Sequence, residues 1–190
     1  MMRKRQASAI AVPIVMAAVL GTVSGWASGQ QGTTPAVLHV SSLSFADGQT
    51  MPQKLTCDGA DQSPSLQWLT PPAGTQSYVI VMHDPDAPVD FTHWLAYNIP
   101  GMTYALPEGA STPSQRLDHA VEGINSFGRI GYGGPCPPTG KPHHYVFRVY
   151  ALDVNPGLPA GQGTDQVMAA IKGHVLAEGE ITGMYERGGM

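Results

Sequence analysis

Tyr78-Val79-Ile80-Val81-Met82-His83-Asp84-Pro85-Asp86-Ala87-Pro88 runs from an unbroken apolar stretch straight into a rigid acidic turn, with His93-Trp94 close behind. The apolar run is too short for a typical helix and is closed by Asp and Pro, so Ser77 to Met82 reads as a buried strand. Further along, the order is reversed. Gly133-Gly134-Pro135-Cys136-Pro137-Pro138-Thr139-Gly140 leads into His143-His144-Tyr145 and then Val146-Phe147-Arg148-Val149-Tyr150. One strand ends, and another begins, in a stiff loop carrying His, Asp or Tyr. Such loops on strand ends are how a sheet protein builds a small polar pocket.

Working outward, most of the chain gives the same strand-and-turn signal. Val37 to Phe45 alternates weakly and reads as a first strand; Asp47-Gly48 is a turn, and Met51-Pro52 opens another extended piece. Cys57 to Pro64 is a loop, and Ser65 to Leu69 resumes as a strand around Trp68. His93 to Ile99 is expected to set Trp94, Ala96 and Asn98 on one face against His93, Leu95, Tyr97 and Ile99, stopping at Pro100-Gly101. Pro107 to Tyr132 lacks a pattern and reads as a long surface loop with at most one short strand, with Asp118 to Glu122 solvated. Loops this long in compact domains are usually functional. His144 to Leu152 is a clear strand. Thr164 is expected to cap a helix carrying Val167, Met168, Ala170, Ile171 and Val175, and Glu180 to Glu186 to close as a strand. With 23 Gly, 17 Pro and only 13% charged residues, the composition suits many short strands better than a helical bundle.

The N-terminus has the plan of a cleavable signal peptide. Arg3, Lys4 and Arg5 precede an apolar segment from Ala7 to Val23, and Gly25-Trp26-Ala27 supplies small residues for cleavage after Ala27. Residues 1–27 are therefore expected to be removed, 28–36 to form a flexible lead-in, and 37–190 to make one domain, exported to the periplasm or secreted. No later stretch is long and apolar enough to span a bilayer, so no stable membrane insertion is expected after cleavage. Without the leader, seven Lys and Arg face 14 Asp and Glu, a net charge of about −7. That balance excludes a nucleic-acid partner, which needs a basic face to neutralise phosphates. The only cysteines, Cys57 and Cys136, lie in an exported chain and are read as a disulfide, a cross-link worth roughly 4 kcal/mol for so long a loop.

Several ordered blocks together resemble the phosphatidylethanolamine-binding protein (PEBP) family, in its bacterial branch. They are Thr56-Cys57-Asp58-Gly59 with Ser63-Pro64, Asp84-Pro85-Asp86-Ala87-Pro88, His93-Trp94 with Asn98-Ile99-Pro100, Gly131 to Pro138, His143 with Tyr145 and Phe147, and Gly173-His174 with Gly183 and Tyr185. The resemblance implies a mainly β fold: an antiparallel β-sandwich, a large sheet packed on a smaller one, with one or two short helices near the C-terminus. It also implies a small pocket for phosphate-like anions or phospholipid headgroups, formed by Asp84, Asp86, His93, Gly134, His143 and Tyr145, and a cis peptide bond before Pro88. His144 stands where animal relatives usually carry Arg, and the chain stops soon after Tyr185, where theirs continue into a helix.

The residue types suit an anion. Glycines at 133 and 134 would let backbone N–H groups approach closely, and the prolines beside them stiffen the loop. His93, His143 and Tyr145 can each donate a hydrogen bond. The carboxylates would act through the histidines, accepting a ring N–H and so fixing the tautomer, or would take the ammonium of an ethanolamine headgroup. The expected function is that of an exported, non-enzymatic binding protein with no cofactor and no metal. The alternative is an inhibitor or interaction module that meets a protease, kinase or other target protein through the pocket rim. Catalysis is disfavoured: no Gly-x-Ser-x-Gly elbow and no His-x-x-x-His metal motif occurs.

Overall fold

The computed structural model describes residues 35–112, 117 and 120–188; the expected signal peptide and most of the lead-in lie outside these residues. In chain order the elements are β1 (Ala36–Val37), β2 (His39–Ser41), β3 (Gln49–Thr50), β4 (Leu66–Leu69), β5 (Ser77–Asp84), β6 (Phe91–Pro100), β7 (Ala105–Leu106), β8 (Val121–Glu122), β9 (His143–Leu152), α1 (Thr164–Ile171) and β10 (Val175–Tyr185). A single 3-10 turn, Gln53–Leu55, follows β3.

The strands form two sheets. The larger has the order β1-β10-β9-β5-β6-β8, with β3 also pairing β10; the smaller is β2-β4-β7. Only β1 and β3 pair in parallel, both with β10. β5 lies at the heart of the large sheet and is buried at every position except His83. Its Tyr78, Ile80 and Met82 pack into the core between the sheets, with Trp68, Trp94 and Phe147. Val79 and Val81 pack on the opposite face, with Leu95, Tyr97, Leu152 and the helix residues Val167 and Ile171. A strand covered on both faces needs apolar residues at odd and even positions alike, hence the unbroken run. Each side chain so buried stabilises the fold by about 1.5–3 kcal/mol.

Several expectations need correction, beginning with the extended piece at Met51-Pro52, which leads instead into the 3-10 turn. The first strand is two, because the chain crosses from the large sheet to the small one at buried Leu38. Gly163, not Thr164, occupies the N-cap of α1; the Thr164 hydroxyl instead meets that of Thr92 at 3.0 Å. Val175 belongs to β10 and not to the helix, which ends before Gly173 turns the chain at φ 84°. Glu122 is buried and not solvated: the Trp94 indole N–H donates to its carboxylate at 2.8 Å, giving the charge a partner away from water.

Two bulges in β6 decide which residues reach which face. Tyr78 pairs with Ile99 but Ile80 pairs with Ala96, so β6 carries one extra residue there, and Asn98 sits at φ 55°. Ile99 therefore joins Trp94 and Ala96 in the inter-sheet core, against the expectation that it would share a face with Leu95 and Tyr97. The second bulge lies where Met82 pairs with Trp94 and His83 with Thr92, leaving His93 as the extra residue. Strict alternation would have pointed His93 toward the helix, beside Leu95. Instead its ring meets Tyr145, on the inter-sheet face, at 5.1 Å between centroids. Bulges of this kind re-aim a side chain.

Candidate functional site

The end of β5 and the starts of β6 and β9 lie side by side at one end of the large sheet. Asp84 pairs directly with Phe91, and the β5–β9 register, carried one residue past His83–Val146, sets Tyr145 opposite Asp84. Residues opposite one another across paired strands share a face, and a strand residue two places away shares it too. Asp84, Phe91, Tyr145 and His143 are thereby brought together by register alone, and the bulge adds His93.

These residues line a cavity of about 250 Å³, walled also by Val89, Phe127, Cys136, Pro137 and Pro138. Its polar side is built from the strand ends. Asp84, 4% exposed, uses both carboxylate oxygens. Oδ1 accepts the amides of Asp86 and Ala87 at 2.8 and 3.1 Å, and Oδ2 accepts the His143 Nδ1–H at 2.7 Å. The acidic turn is closed by this carboxylate. All peptide bonds of the described residues are trans, so the expected cis bond before Pro88 is absent. The turn is held by the two amide contacts to Asp84 instead.

His93 is held from the other side. Its Nδ1 lies 2.8 Å from the Gly133 carbonyl, which can only accept, so the ring carries its proton on Nδ1 and keeps Nε2 as its remaining polar atom. Burial depresses its pKa; the Gly133 carbonyl, the Asp84 carboxylate, the Gly134 backbone and the Asp61 carboxylate oppose that shift in that order. Its ring is boxed by Phe91, Phe127 and Tyr145, at centroid distances of 4.9, 5.3 and 5.1 Å. Tyr145 is fully buried, and its hydroxyl has no partner in hydrogen-bond geometry. Burial first, and then the negative charge of Asp84, push its pKa up against a weaker pull from the nearby Cys136 backbone, so it stays a protonated donor.

Of the six residues expected to bind ligand, Asp84, His93, His143 and Tyr145 line the cavity; Asp86 and Gly134 do not. Asp86 turns outward and accepts both the amide and the ring N–H of His144 at 2.7 Å, which hold its carboxyl below the usual range. The Gly134 amide, expected to face an anion, donates to Asp61 Oδ1 at 2.6 Å. Gly134 is needed for close approach: a Cβ there would collide with Leu55 O and stand 2.8 Å from Asp61 Oδ1.

Sequence reasoning missed the apolar wall and Asp61. Phe91 was within reach of it, being two places before His93. Phe127 lies in the unpatterned loop, whose tip is set by buried Asn125: its Oδ1 accepts the Phe127 and Arg129 amides at 3.1 Å. Cys57 and Cys136 are joined as expected, in a disulfide that ties the cavity wall to the loop before Asp61. Among the described residues, no group of three or more His, Cys, Asp or Glu side chains is placed to hold a metal ion, and no helix is long and apolar enough to cross a membrane.

Comparison with known proteins places this arrangement. The chain is 45% identical over 155 residues to a UPF0098 protein of Aquifex aeolicus (strain VF5), covering 80% of this chain and 90% of the relative. It is 42% identical over 180 residues to a UPF0098 protein of Pyrococcus horikoshii, covering 93% and 89%. Among solved structures, Escherichia coli YbcL, described as a new member of the mammalian PEBP family, aligns with a TM-score of 0.74 at 35% identity, over 80% of this chain and all of that one. The PEBP homologue CT736 of Chlamydia trachomatis aligns with a TM-score of 0.72, also at 35% identity, over 80% and 99%. A family model described as phosphatidylethanolamine-binding protein matches residues 41–186, and on that match the chain belongs to the phosphatidylethanolamine-binding protein family.

Proposed function

We propose that this is an exported, non-enzymatic binding protein whose cavity takes a phosphate group, free or as the headgroup of a phospholipid. The observation that carries the reading is the Tyr145 hydroxyl, buried in the cavity wall with no partner in hydrogen-bond geometry. A buried unsatisfied donor costs about 1–3 kcal/mol, and a ligand oxygen would remove that cost. His93 and His143 each keep Nε2 beyond their contacts with Gly133 and Asp84; in a neutral ring it accepts from a phosphate O–H and in a protonated ring it donates to a phosphate oxygen, so with Tyr145 three polar atoms remain for a phosphate group. The aromatic and proline wall would seat whatever carries the phosphate. Export rests on the N-terminal segment and accords with the disulfide, since such bonds persist in oxidising compartments.

The test is Tyr145→Phe, assayed by titration with inorganic phosphate and with a short-chain phosphatidylethanolamine. Because the hydroxyl makes no contact in hydrogen-bond geometry and only the Cys136 backbone lies near it, its removal should change unfolding stability little. Loss of one hydrogen bond to a charged ligand should weaken binding by about tenfold or more. Equal phosphate affinity in the two proteins would reject the reading. A second reading, an interaction module acting on a protein target through the rim, is favoured by Val89 and Phe127, which line the cavity yet are 66% and 40% exposed. Val89→Ser, which removes apolar rim surface without adding charge, should abolish capture of such a target while leaving phosphate titration within about twofold; a loss of both would count against a separate rim function.

A further inference from the structure

Asp61 stands outside the cavity, in the loop between the 3-10 turn and β4, with φ 54°. Its two carboxylate oxygens face different groups behind the cavity wall. Oδ1 accepts the Gly134 amide at 2.6 Å, and Oδ2 lies 3.6 Å from an Arg129 guanidinium nitrogen. The residue before Gly134 is the one that fixes His93: the Gly133 carbonyl accepts the ring N–H at 2.8 Å, and the Gly133 amide donates to the His93 carbonyl at 3.0 Å. Arg129 in turn lies 5.3 Å from the centre of the Phe127 ring. Phe127 leans on Gly133 so closely that a Cβ there would come within 2.7 Å of its ring. One carboxylate therefore braces the peptide that orients His93 and the cation that backs Phe127.

Resting on the proposed function of this cavity, we propose that Asp61 is a positioning residue: it holds the Gly133-Gly134 peptide so that His93 keeps its proton on Nδ1 and presents Nε2 to the ligand, as the acceptor of an O–H of inorganic phosphate while the ring is neutral and as a donor once it is protonated. The physical argument is one of alternatives. A neutral imidazole exchanges its proton readily between two nitrogens, and the tautomer is set by the hydrogen bond the other atom makes. The Gly133 carbonyl can select Nδ1–H only while its peptide plane is fixed. Prolines at 135, 137 and 138 stiffen the C-terminal part of the loop, but glycines at 133 and 134 are its least restrained backbone. Asp61 supplies the missing restraint from 73 residues away.

The test reads the tautomer directly, without ligand, from the ring ¹⁵N resonances of His93 in the intact chain. Wild type should show a pyrrole-type Nδ1 and a pyridine-type Nε2 above the titration of the ring. Asp61→Ala should average the two resonances and weaken inorganic phosphate binding about tenfold, the scale on which supporting partners act on a site. Asp61→Asn keeps an oxygen acceptor for Gly134 and should restore the wild-type tautomer. Should Asp61→Ala not fold, Asp61→Glu decides: the added methylene displaces the acceptor while retaining the charge, and should also mix the tautomers. A His93 signature unchanged in Asp61→Ala or in Asp61→Glu overturns the proposal, as does loss of the tautomer in Asp61→Asn. A wild-type protein that ignores phosphate yet shows this tautomer pattern would reject the binding function and leave the brace standing.

Discussion

His143 and His144 are neighbours on one strand, and each places Nδ1 2.7 Å from a carboxylate of the same acidic turn, Asp84 and Asp86. Composition and distance are the same; surroundings are not. Strand alternation sends the first pair inward, with side chains 15% and 5% exposed, and the second outward, at 47% and 41%. The inner carboxylate also closes the turn through the Asp86 and Ala87 amides, while the outer one serves only its histidine. One motif thus supplies a pair built into the fold beside one on its surface, and burial sets their weights. An ion pair exposed to solvent contributes about 0–1 kcal/mol, whereas breaking a buried one costs several times more.

The sharpest way to break that contrast is Asp84→Ala. It strands the His143 Nδ1–H and two backbone amides inside the protein, so unfolding by denaturant should show a loss of about 3 kcal/mol. Phosphate binding should disappear with it, because His143 loses its fixed orientation. If Asp84→Ala costs no more than an exposed pair would, the distinction drawn from burial is wrong.

His93 offers a second lever, through pH. Burial lowers its pKa from the ordinary 6.5, against the pull of the Gly133 carbonyl and of Asp84 and Asp61. A histidine whose pKa is lower when folded binds fewer protons in the native state, so stability is full above about pH 6.5 and falls as the pH drops through the native pKa. An anion favours the protonated ring, so affinity should move the other way. Thermal unfolding with and without inorganic phosphate should show Tm of the free protein falling below pH 6 while the increment from phosphate grows. A phosphate increment independent of pH would show that His93 takes no part in binding.

The inner site was legible in the sequence to the extent that it obeys regular geometry. Apolar runs punctuated by Gly and Pro indicate a mainly β chain with Asp84, His143 and Tyr145 at strand ends, while the two-layer arrangement and the grouping of those residues in one pocket were implied by the resemblance to the family. What regular geometry cannot express was lost. The extra residues at His93 and Asn98 invert the face of everything beyond them, and no period-two template anticipates an insertion. Asp61 acts through a backbone amide 73 residues away, a contact with no local signature. Glu122 looked solvated because a buried carboxylate is recognisable only once its donor, the Trp94 indole, is in place.

The smallest expected effect completes the comparison. Asp86→Asn and His144→Ala each dissolve a carboxylate–imidazole contact as short as the buried one, yet stability should change by no more than about 0.5 kcal/mol, in keeping with exposed pairs. The Asp86 carboxyl is held below its usual range by the His144 amide first and the ring second. Its contribution is therefore present at neutral pH and fades only as the pH falls through that lowered value; removal should go unnoticed in acid. Phosphate titration of either variant should match wild type within about twofold, since neither side chain reaches the cavity. A larger loss in His144→Ala than in Asp86→Asn would point to a role for the exposed imidazole itself, beyond its partner, and would move the functional boundary outward from the inner pair to the turn as a whole.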